Sequence, residues 1–224
     1  MSAFAADDGS AAPAVAAVLA EHAAGRADTA DVVAALRGTR VLVPVVAHER
    51  DAADDRHVDT AVVAVQAPDG RTAMPVFTSV AALSAWNPAV RPMPAELERA
   101  AISALAEGWP LLVIDPGGPV TVPVPRPAVQ AIAAGLAWHP AVRDGEVRSD
   151  VSVAVQRALA TVADVRSVEV EPGRTSEVAV VVGLPHGLDR GGLEAVLARI
   201  DAALAADPVV AQIDTLELRP VAVG

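Results

Sequence analysis

The chain has 224 residues, of which 53% are apolar and only 2% aromatic, with no Cys, no Lys and a formal net charge of −11. The missing Cys and Lys exclude disulfides, thiolate metal sites, Cys nucleophiles, Schiff-base chemistry and a P-loop lysine. The negative charge argues against a nucleic-acid partner, and no apolar run approaches the about 20 residues of a membrane span.

The first residues, "MSAFAADDGSAAPAV", lack a basic n-region and carry Asp7 and Asp8, so no secretory signal is expected, and residues 1–12 are read as a disordered start. "PAVAAVLAEHAAG" (13–25) reads as a helix with Pro13 near its start and Gly25 just past its end. "TADVVAALR" (29–37) reads as a second, capped by Asp28 or Thr29 and stopped by Gly38. "RVLVPVV" (40–46) is a β-branched run expected as a strand buried on both faces, with Pro44 marking an edge or bulge.

A charged segment, "AHERDAADDRHVD" (47–59), precedes "TAVVAVQ" (60–66), read as one strand. Asp69-Gly70 signals a hairpin turn into "TAMPVFT" (72–78). "SVAALSAW" (79–86) then reads as a short helix with Ser79 as N-cap, and Pro88 forces Asn87 out of helical geometry. "PAELERAAISALAEG" (94–108) is amphipathic, with Pro94 at its start and Gly108 at its end. "PLLVID" (110–115) and "VTVPV" (120–124) are strands around a "PGGP" turn, and "RPAVQAIAAG" (126–135) is a helix with Pro127 at its start.

Residues 136–149 lack periodicity and are read as a domain boundary between an N-terminal domain, 13–138, and a C-terminal one, 149–224. The second half reads helix (149–163, capped by Ser149 or Asp150), strands (166–172 and 176–184), helix (Asp189 cap, through Ala206) and strand (212–223). This α-β-β-α-β order is compatible with a split β-α-β sheet. The fold class is therefore α/β, in the α+β sense: a mixed α/β domain followed by a small α+β domain.

Candidate chemistry is sparse. His48, Glu49, Asp51, Asp54, Asp55, His57 and Asp59 are legitimate ligand types for a cation, but their spacing matches no metal signature, Arg50 and Arg56 compete for the carboxylates, and a solvated loop is the favoured reading. "DPGGP" (115–119) offers backbone N–H groups to an anion, yet a strand rather than a helix follows it, which favours a hairpin turn. Asp115 stands at the C-terminal end of an expected parallel strand, where α/β folds place ligands. His186 precedes a helix start that Asp189 is expected to cap. Trp86, Trp109 and Trp138 each sit at or just past a helix end; plugging the corners of a small-residue core is favoured over a partner surface. No catalytic, metal or cofactor-binding residues are assigned.

Taken together, "VLVPVV", "DGRTAMPVFTSVAALSAWNP", "EGWPLLVIDPGGPVTVPVPRPAVQAIAAG" and the charged segment between the first two resemble the actinobacterial form of the SseB N-terminal domain family over residues 28–135. The most specific element is "DGRTAMPVFTS" leading to "AW". The resemblance implies a compact α/β domain with no catalytic residue set to carry over. The charged segment departs from the family pattern, with Arg56-His57-Val58 in the region where a Lys often precedes the Asp-containing strand. The leading expectation is a cytoplasmic, non-enzymatic module that binds another protein or a second copy of itself, with Phe77, Trp86, Asn87, Asp115, Gly117 and Gly118 as the ligand or partner surface. The alternatives are a module sensing an amino-acid-like small molecule and a cryptic hydrolase.

Overall fold

The computed structural model describes residues 7–47, 60–67 and 69–224. The chain divides into two compact units, 1–138 and 139–224. Helices and strands interleave in both, so the fold is mixed α/β.

Unit 1 begins with α1 (Pro13–Ala23) and α2 (Thr29–Leu36). Asp28 and Asp31 cap α2 reciprocally: each carboxylate accepts the other's backbone N–H, both at 2.9 Å. Gly25 and Gly38 follow the two helices at positive φ, where an L side chain would be strained. Next come β1 (Arg40–Ala47), β2 (Thr60–Val62), β3 (Val65–Gln66), β4 (Thr72–Val76), α3 (Val80–Trp86), β5 (Arg91–Glu96), α4 (Leu97–Ala106), β6 (Leu111–Ile114), β7 (Val122–Val124) and α5 (Arg126–Ala133).

The strands form two sheets, ordered β2-β1-β5 and β3-β4-β6-β7. The first is antiparallel; in the second, β4 and β6 are parallel and the outer pairs antiparallel. A reciprocal backbone bridge between Leu42 and Phe77, 2.8 Å in each direction, joins β1 to the end of β4. The core is assembled from many small groups: Val32, Val33, Val41, Val43, Val76, Ala100, Ala101 and Ala104 pack with Leu36, Met74, Leu97, Leu112, Ile114 and Ile132.

Two expectations about proline fail here. Pro44 does not mark an edge of β1, because β1 lies in the middle of its sheet. Pro44 stands opposite Pro92. Its carbonyl points the other way and accepts from Val63 N at 3.1 Å, so Pro44 and Pro92 occupy a pair that needs no hydrogen bond between them. Likewise Pro94 does not start a helix. Pro92 and Pro94 lie in β5, an edge strand, and their alternation turns both ring nitrogens to the open edge, where no partner asks for an N–H. The helix starts only at Leu97. Residues 60–66 are also two short strands rather than one, β2 serving the first sheet and β3 the second.

Residues 7–12, read from sequence as part of a disordered start, make specific contacts. Arg40 is ion-paired with Asp7 and donates to the carbonyl of Ser10 (2.8 Å), and Val80 N donates to Gly9 O (2.8 Å).

Unit 2 opens with a hairpin of β8 (Val142–Arg143) and β9 (Glu146–Val147), turned at Asp144-Gly145, both at positive φ. The aperiodic composition of 136–149 hid this hairpin. It continues with α6 (Ser149–Leu159), β10 (Ser167–Pro172), β11 (Val178–Pro185), α7 (Arg190–Leu204), α8 (Asp207–Val210) and β12 (Leu216–Val223). Arg148, not Ser149 or Asp150, holds the N-cap position of α6, and its guanidinium takes the Asp150 carboxylate (3.1 Å). The sheet order is β10-β11-β12, with β11 and β12 parallel and adjacent. No strand separates that pair, so the β-α-β unit is not split. Glu177 ties the unit together: its two carboxylate oxygens accept Ala141 N (3.0 Å) and Asp214 N (2.9 Å).

Asp28→Ala removes one half of the α2 capping box. It is expected to lower stability by about 1 kcal/mol, read as a lower urea midpoint at unchanged slope.

Candidate functional site

The C-terminal ends of the two parallel strands, β4 and β6, carry Thr78 and Asp115. They are the buried polar or charged residues among the described ones, at 6% and 7% exposure, and each satisfies the other. Asp115 Oδ1 accepts Thr78 N at 2.8 Å and Oδ2 accepts Thr78 Oγ1 at 2.7 Å. Asp115 itself lies at φ +46°, a left-handed conformation that Asp tolerates better than most residues. That turn of the chain sends its carbonyl to accept Gly118 N and Thr121 Oγ1, both at 3.1 Å, and so starts the tight connection from β6 to β7.

Burial pushes the Asp115 carboxyl above its ordinary value, and the two Thr78 hydrogen bonds pull against that rise. Desolvation is the larger effect. The acid is therefore less stable as an anion in the folded chain than in water, although it is well partnered.

Immediately after Thr78, Ser79 Oγ accepts Ala82 N (3.1 Å) and starts α3, as the sequence indicates. Seven residues later α3 delivers Trp86 back over Phe77. The ring centroids are 5.2 Å apart and the planes are tilted by 42°, an arrangement favoured by aromatic quadrupoles. Phe77 is completely buried, with Leu42, Leu83 and Val90 around it. Trp86 is only partly buried. Gly117, at φ +72°, faces the indole: a Cβ placed there would stand 3.5 Å from Trp86 Cδ1. Asn87 leaves the helix in extended geometry and its side chain accepts Ala89 N (2.9 Å).

Of the residues assigned from sequence to a ligand or partner surface, Phe77, Trp86, Asp115, Gly117 and Gly118 thus meet at one corner. Their roles differ from the expectation. Phe77 is floor and not surface, because no part of it reaches solvent. Asp115 is engaged by Thr78, and Gly118 is held against the Asp115 carbonyl, where a Cβ would stand 3.1 Å from that oxygen. Trp86, Asn87 and the exposed Gly117 remain as the accessible part. Thr78 and Arg40 escaped the sequence reading. Arg40 Nη1 donates to the carbonyl of Thr78 (3.2 Å) while Nη2 holds Asp7 (2.7 Å). Partners 33 to 38 positions apart leave no local signal.

The other candidates resolve differently. His48, Glu49, Asp51, Asp54, Asp55, His57 and Asp59 lie outside the described residues. Among the described residues, no group of three or more His, Asp or Glu could hold a metal ion, and no helix is long and apolar enough to cross a membrane. Residues 115–119 form a hairpin connection, as expected. Asp189 caps α7 through Gly192 N (2.7 Å), and His186 is exposed. Trp109 and Trp138 pack against the main core of unit 1.

A family model described as the SseB protein N-terminal domain matches residues 15–131, which include every residue of the corner from Arg40 to Gly118. No curated protein and no solved structure matches the chain.

Asp115→Ala leaves the buried Thr78 N–H and hydroxyl without an acceptor and is expected to cost about 1–3 kcal/mol. Asp115→Asn keeps the shape and the tolerance of positive φ. A carboxyl raised in the folded state makes the folded chain hold more protons than the unfolded one between the two values. Stability contributed by Asp115 is therefore greatest below its ordinary value of 3.8 and falls as pH rises through the raised one. The stability of wild type relative to Asp115→Asn should decline as pH rises from about 4, measured by urea unfolding of both proteins at each pH.

Proposed function

This chain belongs to the SseB N-terminal domain family, and on that premise we propose that it works by binding another protein and not by catalysis, with the Trp86 corner as its contact. The observation that supports this reading is the state of Trp86. Its indole packs against Phe77 and lies near Gly117, yet part of the ring remains accessible. Large rings fixed before binding lose little freedom on association and are the usual anchors of interfaces. Asn87, Pro88 and Ala89 continue the accessible surface from the same helix end.

The buried titratable group at the corner supports a binding role as well. Both oxygens of Asp115 are engaged by Thr78, so the carboxylate fixes the corner from which Trp86 is presented. A net charge of −11 favours a partner surface that is neutral or basic. A chain without Cys suits a reducing compartment, and the cytosol is the proposed one.

Native co-purification with wild type, Trp86→Phe and Trp86→Ala, followed by titration of the recovered partner, tests this. A partner that binds wild type and binds Trp86→Ala at least about tenfold more weakly supports the reading, provided circular dichroism shows the variant folded. Recovery of wild type alone, or equal binding by all three proteins, overturns it.

A further inference from the structure

We propose that the cavity between β1, β5 and α4 is a binding site for a small zwitterion with an apolar tail, the class to which apolar amino acids belong. The cavity has a volume of about 470 Å³, within the range of small-molecule sites. None of the corner residues around Trp86 lines it.

Its composition separates into floor and rim. Met93, 41% exposed, supplies with the part-buried Val62 and Ala95 the apolar surface that a ligand can reach, while Val43 and Met74, at 2% and 0% exposure, belong to the main core and close the cavity beneath it. The rim carries Glu96, Arg99 and Ser103. Glu96 is the residue before α4, and its side chain makes no capping hydrogen bond. Arg99 and Ser103 follow at one-turn spacing on the same helix face.

Glu96 and Arg99 stand three positions apart, the spacing at which opposite charges on a helix commonly pair. No ion pair or side-chain hydrogen bond engages either one among the described residues; Glu98, between them, turns away to the backbone of Gly38 (3.3 Å). One anion and one cation are thus left open over one apolar floor. A ligand carrying only a carboxylate would gain from Arg99 and be repelled by Glu96, and an amine would meet the reverse. A zwitterion satisfies both charges at once, its carboxylate on Arg99 and its ammonium on Glu96, while an apolar tail covers Met93 and Val62. The Ser103 hydroxyl supplies a further donor for the carboxylate.

Isothermal titration of the full chain with leucine and methionine tests the site, beside 4-methylpentanoate (no ammonium), 3-methylbutylamine (no carboxylate) and glycine (no tail). The expected result is binding of leucine or methionine, with each of the three controls weaker by about tenfold or more. Arg99→Gln and Glu96→Gln, both at exposed positions, should each weaken binding by a similar factor while leaving the thermal midpoint of the free protein unchanged. At roughly ten times its Kd the ligand should raise that midpoint by about 3 °C in wild type. Absence of heat and of thermal shift with both amino acids at about 10 mM overturns the proposal. So does binding that is equal for the controls or survives both substitutions.

Discussion

One buried carboxylate fixes the geometry of the corner. Asp115 receives both hydrogen bonds that Thr78 can give, and in doing so it pins together the ends of β4 and β6, the parallel pair at the centre of the second sheet. Each chain then departs from a fixed point. Thr78 leads straight into the Ser79 cap and so aims α3. Asp115 turns left-handed and aims the connection that carries Gly117. Trp86 is reached from the first direction and Gly117 from the second, so their proximity follows from the pair that precedes it. Removing one partner would leave donors or acceptors unsatisfied in a dry place, which costs more than the bond itself contributes.

Prolines do comparable work by what they cannot donate. β1 has pairing partners on both edges, which ordinarily forbids a proline. The cost is avoided by setting Pro44 against Pro92 in a pair that calls for no hydrogen bond, and by directing Pro44's nitrogen towards the region where β2 gives way to Val63. On β5 the prolines at 92 and 94 leave the open edge short of donors, which discourages pairing with another chain. The wall of the cavity beside α4 is thereby a strand that does not invite a further strand.

Features legible in the sequence were those decided within a few residues. The Asp69-Gly70 hairpin, the Ser79 cap, the stops at Gly25 and Gly38 and the cap at Asp189 are each set by local backbone chemistry, and the structure has all of them. Features decided by partners far along the chain were not legible. β5 has a composition that disfavours strands until its pairing with β1 and its edge position are known. The split of 60–66 depends on which sheet each half joins. The corner lay between these extremes: scarce aromatics drew attention to Phe77 and Trp86, and the strand end drew attention to Asp115. That the carboxylate would be engaged by Thr78, and Thr78 in turn by Arg40, depends on separations of 37 and 38 positions that no periodicity reports.

Scarcity of large side chains sharpens the meaning of Trp86. In a core assembled mainly from Val and Ala, one ring fills as much space as several neighbours, and Phe77 alone already closes the space beneath the Leu42 bridge to complete burial. Gly117 lies beside the indole because the turn after Asp115 requires a left-handed residue there, not because the indole requires room. The indole spans both roles: one side packs on Phe77 and the small cluster around it, and the rest of the ring stays in reach of solvent.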